Sequence, residues 1–205
     1  METRIGFGYD SHVFKPGVAL HIGGLALEHP QGLAGHSDGD VLLHAVTDAL
    51  LGSIAAGDIG AFFPPSDPQW KDADSAIFVK LALEELQHAG YRIVNIDTTL
   101  ILAAPKIGPI SGEMRARVAD LLGLGIDQVS IKAKTPEGLN LDHVAQCQAV
   151  VLVERVLEPD DLKSMSAVIE SQRQLEDVVE DLLASVHGVP KRRGDAPVYD
   201  TEDIT

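Results

Sequence analysis

From Ile5 to Tyr9 the chain alternates bulky apolar residues with glycine. Ile5, Phe7 and Tyr9 fall on one side and Gly6 and Gly8 on the other, the period of two that predicts a β-strand. The stretch "VALHIGGLAL" (18–27) reads as a second short strand, broken by a bend at Gly23 and Gly24. The period then changes. In "HSDGDVLLHAVTDALLG", Val41, Leu42, Ala45, Val46, Ala49 and Leu50 make an apolar stripe at helical spacing, Ser37 or Asp38 is placed to cap the helix and Gly52 to stop it. Residues 55–75, rich in Gly, Pro and Asp, read as a long loop, and long loops in compact domains are often functional. "AIFVKLALEELQHAG" predicts a helix ended by Gly90, "RIVNIDTTLILA" a strand, "GEMRARVADLLG" a third helix, and "QVSIKAK" and "AQCQAVVLVERVL" the remaining strands. That order predicts an α/β domain ending near Leu157.

Composition narrows the function classes. With 205 residues and 45% hydrophobic content the chain can bury a real core. A formal net charge of -15 argues against a nucleic-acid surface, which needs a basic footprint. A small anionic substrate stays open, because a few lysines or a bound cation can reverse the field locally. Cys147 is the one cysteine, so neither an intramolecular disulfide nor a cysteine-rich zinc knot can form. No apolar run is long enough to predict a membrane span. The first residues carry no basic-then-apolar leader, so a cytoplasmic, reducing location is expected.

Candidate chemistry begins in the opening strand. Side chains two apart point the same way, so Asp10 and His12 share a face with Gly6 and Gly8, which leave open space beside them. A carboxylate and an imidazole so placed can both reach one divalent cation; the plainer reading is a histidine hydrogen-bonded to an aspartate. On the first helix Asp40, His44 and Asp48 recur every fourth residue, and the apolar neighbours of His44 predict partial burial. His44 is either a satisfied core histidine or the third ligand of a His-His-Asp site. Three protein ligands with an open position describe a catalytic zinc site, with Asp40 or Asp48 as candidate orienters of the His44 ring.

The segments "RIGFGYDSHVF", "GLAGHSDGDVLLHAVTDALLGSIAAGDIGAFFP" and "IKAKTPEGL" resemble the signature segments of the 2-C-methyl-D-erythritol 2,4-cyclodiphosphate synthase family over roughly residues 4–157. The resemblance implies an α/β (α+β) fold, a mixed β-sheet with helices packed on one face, in a homotrimer with active sites between subunits. It implies a phosphorus-oxygen lyase of non-mevalonate isoprenoid precursor biosynthesis, which converts 4-diphosphocytidyl-2-C-methyl-D-erythritol 2-phosphate to the cyclic diphosphate and releases CMP. Zn²⁺ would be held by Asp10, His12 and His44, and Mg²⁺ or Mn²⁺ by Glu137 with the substrate diphosphate.

The same resemblance assigns catalytic roles to His36 and Thr135 and substrate contacts to Asp10, Ser11, His12, His36 and Ser37. His36 and Ser37 would hold the 2-phosphate side; their predicted place just before a helix suits an anion. Asp58, Ile59 and Gly60 would grip the erythritol hydroxyls, and Phe63, Asp67 and Leu141 would add further substrate contacts. Leu102, Ala103, Ala104, Pro105, Lys106, Ile107 and Gly108 would surround cytosine, and Lys134, Thr135, Pro136 and Glu137 would face the diphosphate. The glycines of the first strand would let the diphosphate approach the backbone. The chain departs from the family pattern at "FPPSD", where Pro65 replaces an acid, and at "GLNLDHVAQ", which is short, lacks an arginine and sets Leu141 at a phenylalanine position.

Residues 158–205 lie outside the resemblance. Met165, Val168, Gln172, Leu175, Val179, Leu182 and Val186 follow alternating steps of three and four, a short heptad seam or the buried face of a docked helix, and "HGVPKRRGDAPVYDTEDIT" reads as a polar, disordered tail. Two rival functions use the same residues: a metal-dependent phosphohydrolase, in which water attacks, and a non-catalytic trimer binding isoprenoid phosphates.

Overall fold

A computed structural model describes residues 2–156 and a helix over 159–187, whose side chains are described at 168–183 and 185. The expected tail lies outside the described residues, as do the side chains of Met165 and Val186 in the seam. The chain divides into two compact units, 1–156 and 157–205.

The first unit is built on a five-stranded sheet. In chain order its elements are β1 (Thr3–Pro16), β2 (Leu20–Ile22), β3 (Leu25–Leu27), β4 (Gln31–Leu33), α1 (Val41–Ser53), α2 (Ile59–Phe62), α3 (Ala76–His88), β5 (Tyr91–Ile101), α4 (Ser111–Leu122), β6 (Val129–Lys134) and β7 (Val144–Arg155). Strand order is β4-β1-β7-β5-β6; β1 pairs antiparallel with β4 and β7, β5 pairs antiparallel with β7, and β5 pairs parallel with β6. The mixed sheet with helices on one face is as expected. Several parts were not foreseen: β4, the structure inside residues 55–75, where α2 and a 3₁₀ turn at Pro68–Trp70 interrupt the loop, and further 3₁₀ turns at Gly108–Ile110 and Ile126–Gln128.

The helix α1 is the hub. Val41, Leu42, Leu43, Ala45, Val46, Leu50 and Leu51 are fully buried, so the helix is apolar around most of its girth and serves as core. It lies across β1 where Gly6 and Gly8 face inward. A Cβ on Gly6 would meet the Ala49 carbonyl oxygen at 1.8 Å, and one on Gly8 the Ala45 carbonyl oxygen at 1.9 Å. The expected role of these glycines, room for a diphosphate, is therefore corrected: the space beside them is filled by helix backbone.

The start of α1 also differs from expectation. Its cap is Asp40 rather than Ser37 or Asp38, because the Asp40 carboxylate accepts from the Leu42 and Leu43 amides. The same carboxylate accepts from the amides of Gly23 and Gly24, at 2.9 and 2.7 Å. Those glycines form the β2–β3 turn, with φ of 63° and 74°, the left-handed pair that a tight hairpin requires. One buried side chain thus ties a hairpin to a helix start. Burial pushes the Asp40 carboxyl up, against the hydrogen bonds from Gly24, Leu43 and Gly23.

On the other face of the sheet Ile5, Phe7, Tyr9, Val13 and Val150 are exposed, Ile5 at 70% and Phe7 at 60%. In the second unit, α5 (Pro159–His187) exposes Val168, Ile169, Leu175, Val178, Val179, Leu182 and Leu183.

Candidate active site

Asp10 and His12 leave β1 on the face that α1 covers, just beyond the point where Gly8 lets the helix come close, and His44 descends from α1 to meet them. Asp10 Oδ2 lies 2.8 Å from His12 Nε2 and 2.9 Å from His44 Nδ1, and the two nitrogens are 3.0 Å apart. A zinc ion bound tetrahedrally at ~2.0–2.1 Å needs donor-to-donor edges of about 3.3 Å. The triangle is close to that size. Among the described residues this is the group whose donor atoms converge as a metal site requires.

The hydrogen bonds around the triangle aim its lone pairs inward. His12 Nδ1–H donates to the Ala34 carbonyl at 2.7 Å, leaving Nε2 toward the centre. The Ser11 amide donates to Asp10 Oδ1 at 2.8 Å, leaving Oδ2 toward the centre. His44 Nε2 lies 2.9 Å from Ser75 Oγ and 3.0 Å from Ser37 Oγ. Burial pushes the Asp10 carboxyl up, yet hydrogen bonds from His12 and His44 outweigh it and hold the group well below the usual carboxylate range. Burial pushes His12 down, and the Asp10 carboxylate more than reverses it, so its net shift is upward.

Neither expected orienter of His44 reaches it. Asp40 is occupied as described above, and Asp48 accepts from the Ile59 amide at 2.8 Å, fixing the entry to α2. The ring is held instead by Ser75, which directly precedes α3 and donates its hydroxyl proton to Asp38 at 2.5 Å. Sequence reading missed Ser75 because 31 residues separate it from His44, within a stretch read only as loop. His36 and Ser37 also sit differently: α1 begins at Val41, so they belong to a loop stitched to residues 72–75 and not to a helix N-terminus.

Most of the expected site residues line two cavities. The first, about 210 Å³, contains the metal triangle with His36, Ser37, Ile59, Gly60 and Phe63. Pro65, Trp70 and Phe78, none of them expected, complete its wall. The second, about 440 Å³, is lined by Leu102, Ala103, Pro105, Lys106, Ile107 and Gly108 together with Lys134, Thr135 and Glu137. Thr135 Oγ1 donates to the Glu137 carboxylate, and Glu137 itself holds a left-handed φ of 50°. Ser11, Asp58, Asp67, Ala104, Pro136 and Leu141 line neither cavity. Ser11 is exposed on the outer side of β1, Asp58 caps α2, and Asp67 caps the 3₁₀ turn.

The cavities lie across the sheet from one another. Asp10 is in register with Cys147, Cys147 with Leu100 and Leu100 with Ala133, so three strand spacings, about 14 Å, separate the metal row from the strand that leads into Thr135.

The profile of the YgbB family matches residues 3–154. The chain belongs to the YgbB family. A 2-C-methyl-D-erythritol 2,4-cyclodiphosphate synthase of Koribacter versatilis is 59% identical over 152 residues, covering 74% of this chain and 98% of that protein. A solved 2C-methyl-D-erythritol-2,4-cyclodiphosphate synthase superposes with a TM-score of 0.71 at 40% identity, over 74% of this chain and all of that one. Its counterpart in the CDP-bound form gives a TM-score of 0.71 at 38% identity, with the same coverage. These YgbB relatives match the first unit; α5 lies beyond the matched residues.

Proposed function

We propose that this chain is a cyclodiphosphate-forming lyase, converting 4-diphosphocytidyl-2-C-methyl-D-erythritol 2-phosphate to 2-C-methyl-D-erythritol 2,4-cyclodiphosphate with release of CMP. The observation that carries this reading is the convergence of Asp10, His12 and His44 in a cavity that also holds His36 and Ser37, on a fold shared with proteins of that name. The 2-phosphate oxygen attacks the β-phosphorus, a new P–O bond forms, and the bond from that phosphorus to the α-phosphate oxygen breaks, so CMP departs with the electron pair. The nucleophile is already anionic, so no strong base is needed. The chain must fold the substrate back on itself and exclude competing water.

Asp10, His12 and His44 fit a zinc ion by donor type and convergence, and Glu137 beside Thr135 fits a Mg²⁺ or Mn²⁺ held by one carboxylate and the substrate phosphates. Such cations supply Lewis acidity and neutralise the clustered phosphate charge. His36 and Ser37 would hold the 2-phosphate, Thr135 and Lys134 the diphosphate, and the backbone around Pro105 and Lys106 the cytosine edge. The CDP-bound relative supports a cytidine nucleotide as ligand.

The about 14 Å between the two cavities of one subunit is too far for one diphosphate to bridge, since its phosphorus atoms are only a few ångström apart. Pairing the metal cavity of one subunit with the Thr135 cavity of a neighbour removes the difficulty, and the exposed Ile5, Phe7 and Tyr9 row offers the apolar surface such an assembly needs. A homotrimer with shared sites is the arrangement proposed. No helix among the described residues is long and apolar enough to cross a membrane, and a cytoplasmic location is proposed.

The test is incubation with the cytidyl substrate and Mg²⁺, following the products by phosphorus NMR. CMP with the cyclic diphosphate in equal amounts is expected. CMP with the open-chain 2,4-bisphosphate would indicate the phosphohydrolase, and no CMP a binding protein.

A further inference from the structure

The metal triangle is reached from outside by a chain of hydrogen bonds that runs through Ser75 to Asp38. Ser75 is fully buried, and its Oγ lies 2.9 Å from His44 Nε2. Its hydroxyl proton goes to Asp38 Oδ1 at 2.5 Å, while its amide donates to Asp38 Oδ2 at 3.1 Å. Asp38 is fixed in turn: its amide donates to the Ala73 carbonyl at 3.0 Å, and its Oδ1 accepts from the Asp40 amide at 3.1 Å. We propose that Ser75, oriented by Asp38, is a positioning residue that holds the His44 proton on Nε2 and so keeps Nδ1 a lone-pair donor to the cation.

A neutral imidazole has one N–H and one lone pair, and which nitrogen carries the proton follows from the partners it meets. A serine hydroxyl alone is ambiguous, because it can donate or accept. Ser75 is not ambiguous, because a carboxylate takes its proton and only oxygen lone pairs remain for His44. Nε2 must then donate. On the far side of the ring, Nδ1 lies 2.9 Å from the Asp10 carboxylate, which favours the opposite tautomer by drawing the proton to Nδ1. That tautomer cannot bind metal through Nδ1. Ser75 with Asp38 opposes Asp10, much as the Ala34 carbonyl does for His12. Ser37 Oγ lies 3.0 Å from the same His44 nitrogen and 3.4 Å from Ser75 Oγ, but no carboxylate bond to it is seen, so nothing fixes its hydroxyl as an acceptor toward His44.

The inference rests on the metal reading of Asp10, His12 and His44, and the test separates the two. Zinc affinity is measured by competition with a chromophoric chelator on the full chain, for the parent, Ser75→Ala and Ser37→Ala, with thermal melts to show that each folds. Ser75→Ala should lose about 10–100-fold in affinity, the usual effect of removing an outer-sphere partner, and Ser37→Ala markedly less. In zinc-loaded parent protein the His44 Nε2 proton should be visible by ¹⁵N-edited NMR and exchange slowly, because a buried acceptor holds it; in Ser75→Ala it should exchange fast. Unchanged affinity in Ser75→Ala, or a larger loss in Ser37→Ala, overturns the proposal while leaving the metal site standing. A parent protein that takes up no zinc overturns both. If Ser75→Ala does not fold, the parent spectrum decides alone: a His44 Nε2 proton exchanging like that of an exposed imidazole overturns the assignment.

Discussion

Removing the His44 ring takes away one of three converging donors, and the two that remain both belong to β1. His44→Ala should therefore strip zinc and abolish turnover; elemental analysis and the CMP assay check this. Glu137 is a separable case, because it lies in the other cavity. A carboxylate beside a diphosphate is repulsive without a cation between them. Glu137→Gln should raise the Mg²⁺ concentration needed for half-maximal rate several-fold and leave zinc content unchanged. Asp40 belongs to the scaffold, and its loss leaves four amide donors with no acceptor, from Gly23, Gly24, Leu42 and Leu43. Asp40→Ala should cost about 2–4 kcal/mol in denaturant unfolding.

Between elements, the approach of α1 to β1 decides whether the triangle forms at all. Asp10 and His12 ride on the strand and His44 on the helix, and the backbones meet over Gly6 and Gly8. Gly8→Ala forces the helix outward and should destabilise by about 3 kcal/mol, the upper part of the overpacking range, while also lowering zinc affinity. The period-two and helical patterns foretold nearly every element, because a one-sided core imprints its period on the chain. The same patterns misjudged the glycines, since a sequence records that a side chain is missing but not what crosses the gap. The cap was misplaced among Ser37, Asp38 and Asp40 for a related reason: all three are capping types, and the bonds from the Gly23–Gly24 turn come from a hairpin distant in sequence. Ser75 was invisible because its role depends on how two loops are stitched together. For α5, every residue assigned to chemistry lies within the stretch matched by the family, residues 3–154. Truncation after Leu157 should leave zinc content and turnover within about twofold of the parent, as expected when no catalytic group is removed. A folded, truncated chain that cannot turn over substrate would place α5 in the active site.

For the assembled molecule, the separation of the two cavities makes a quantitative prediction. If each site takes its metal cavity from one subunit and its Thr135 cavity from the next, a His44→Ala chain and a Glu137→Gln chain damage opposite halves. Unfolded together in equal amounts and refolded, they should form mixed assemblies in which about a quarter of the sites are intact, from random placement around a closed ring. At a Mg²⁺ concentration too low to support the Glu137→Gln chain, neither variant alone should recover activity, and a mixture that stays inactive would place each site within a single subunit. The geometry also has a genetic side. Two alleles, one null for metal binding and one null for the Glu137 loop, would together yield product in a cell where either alone yields none. Two alleles broken in the same half would not. Mutations in this single reading frame should therefore sort into two complementation groups, one within residues 10–78 and the other within residues 102–137.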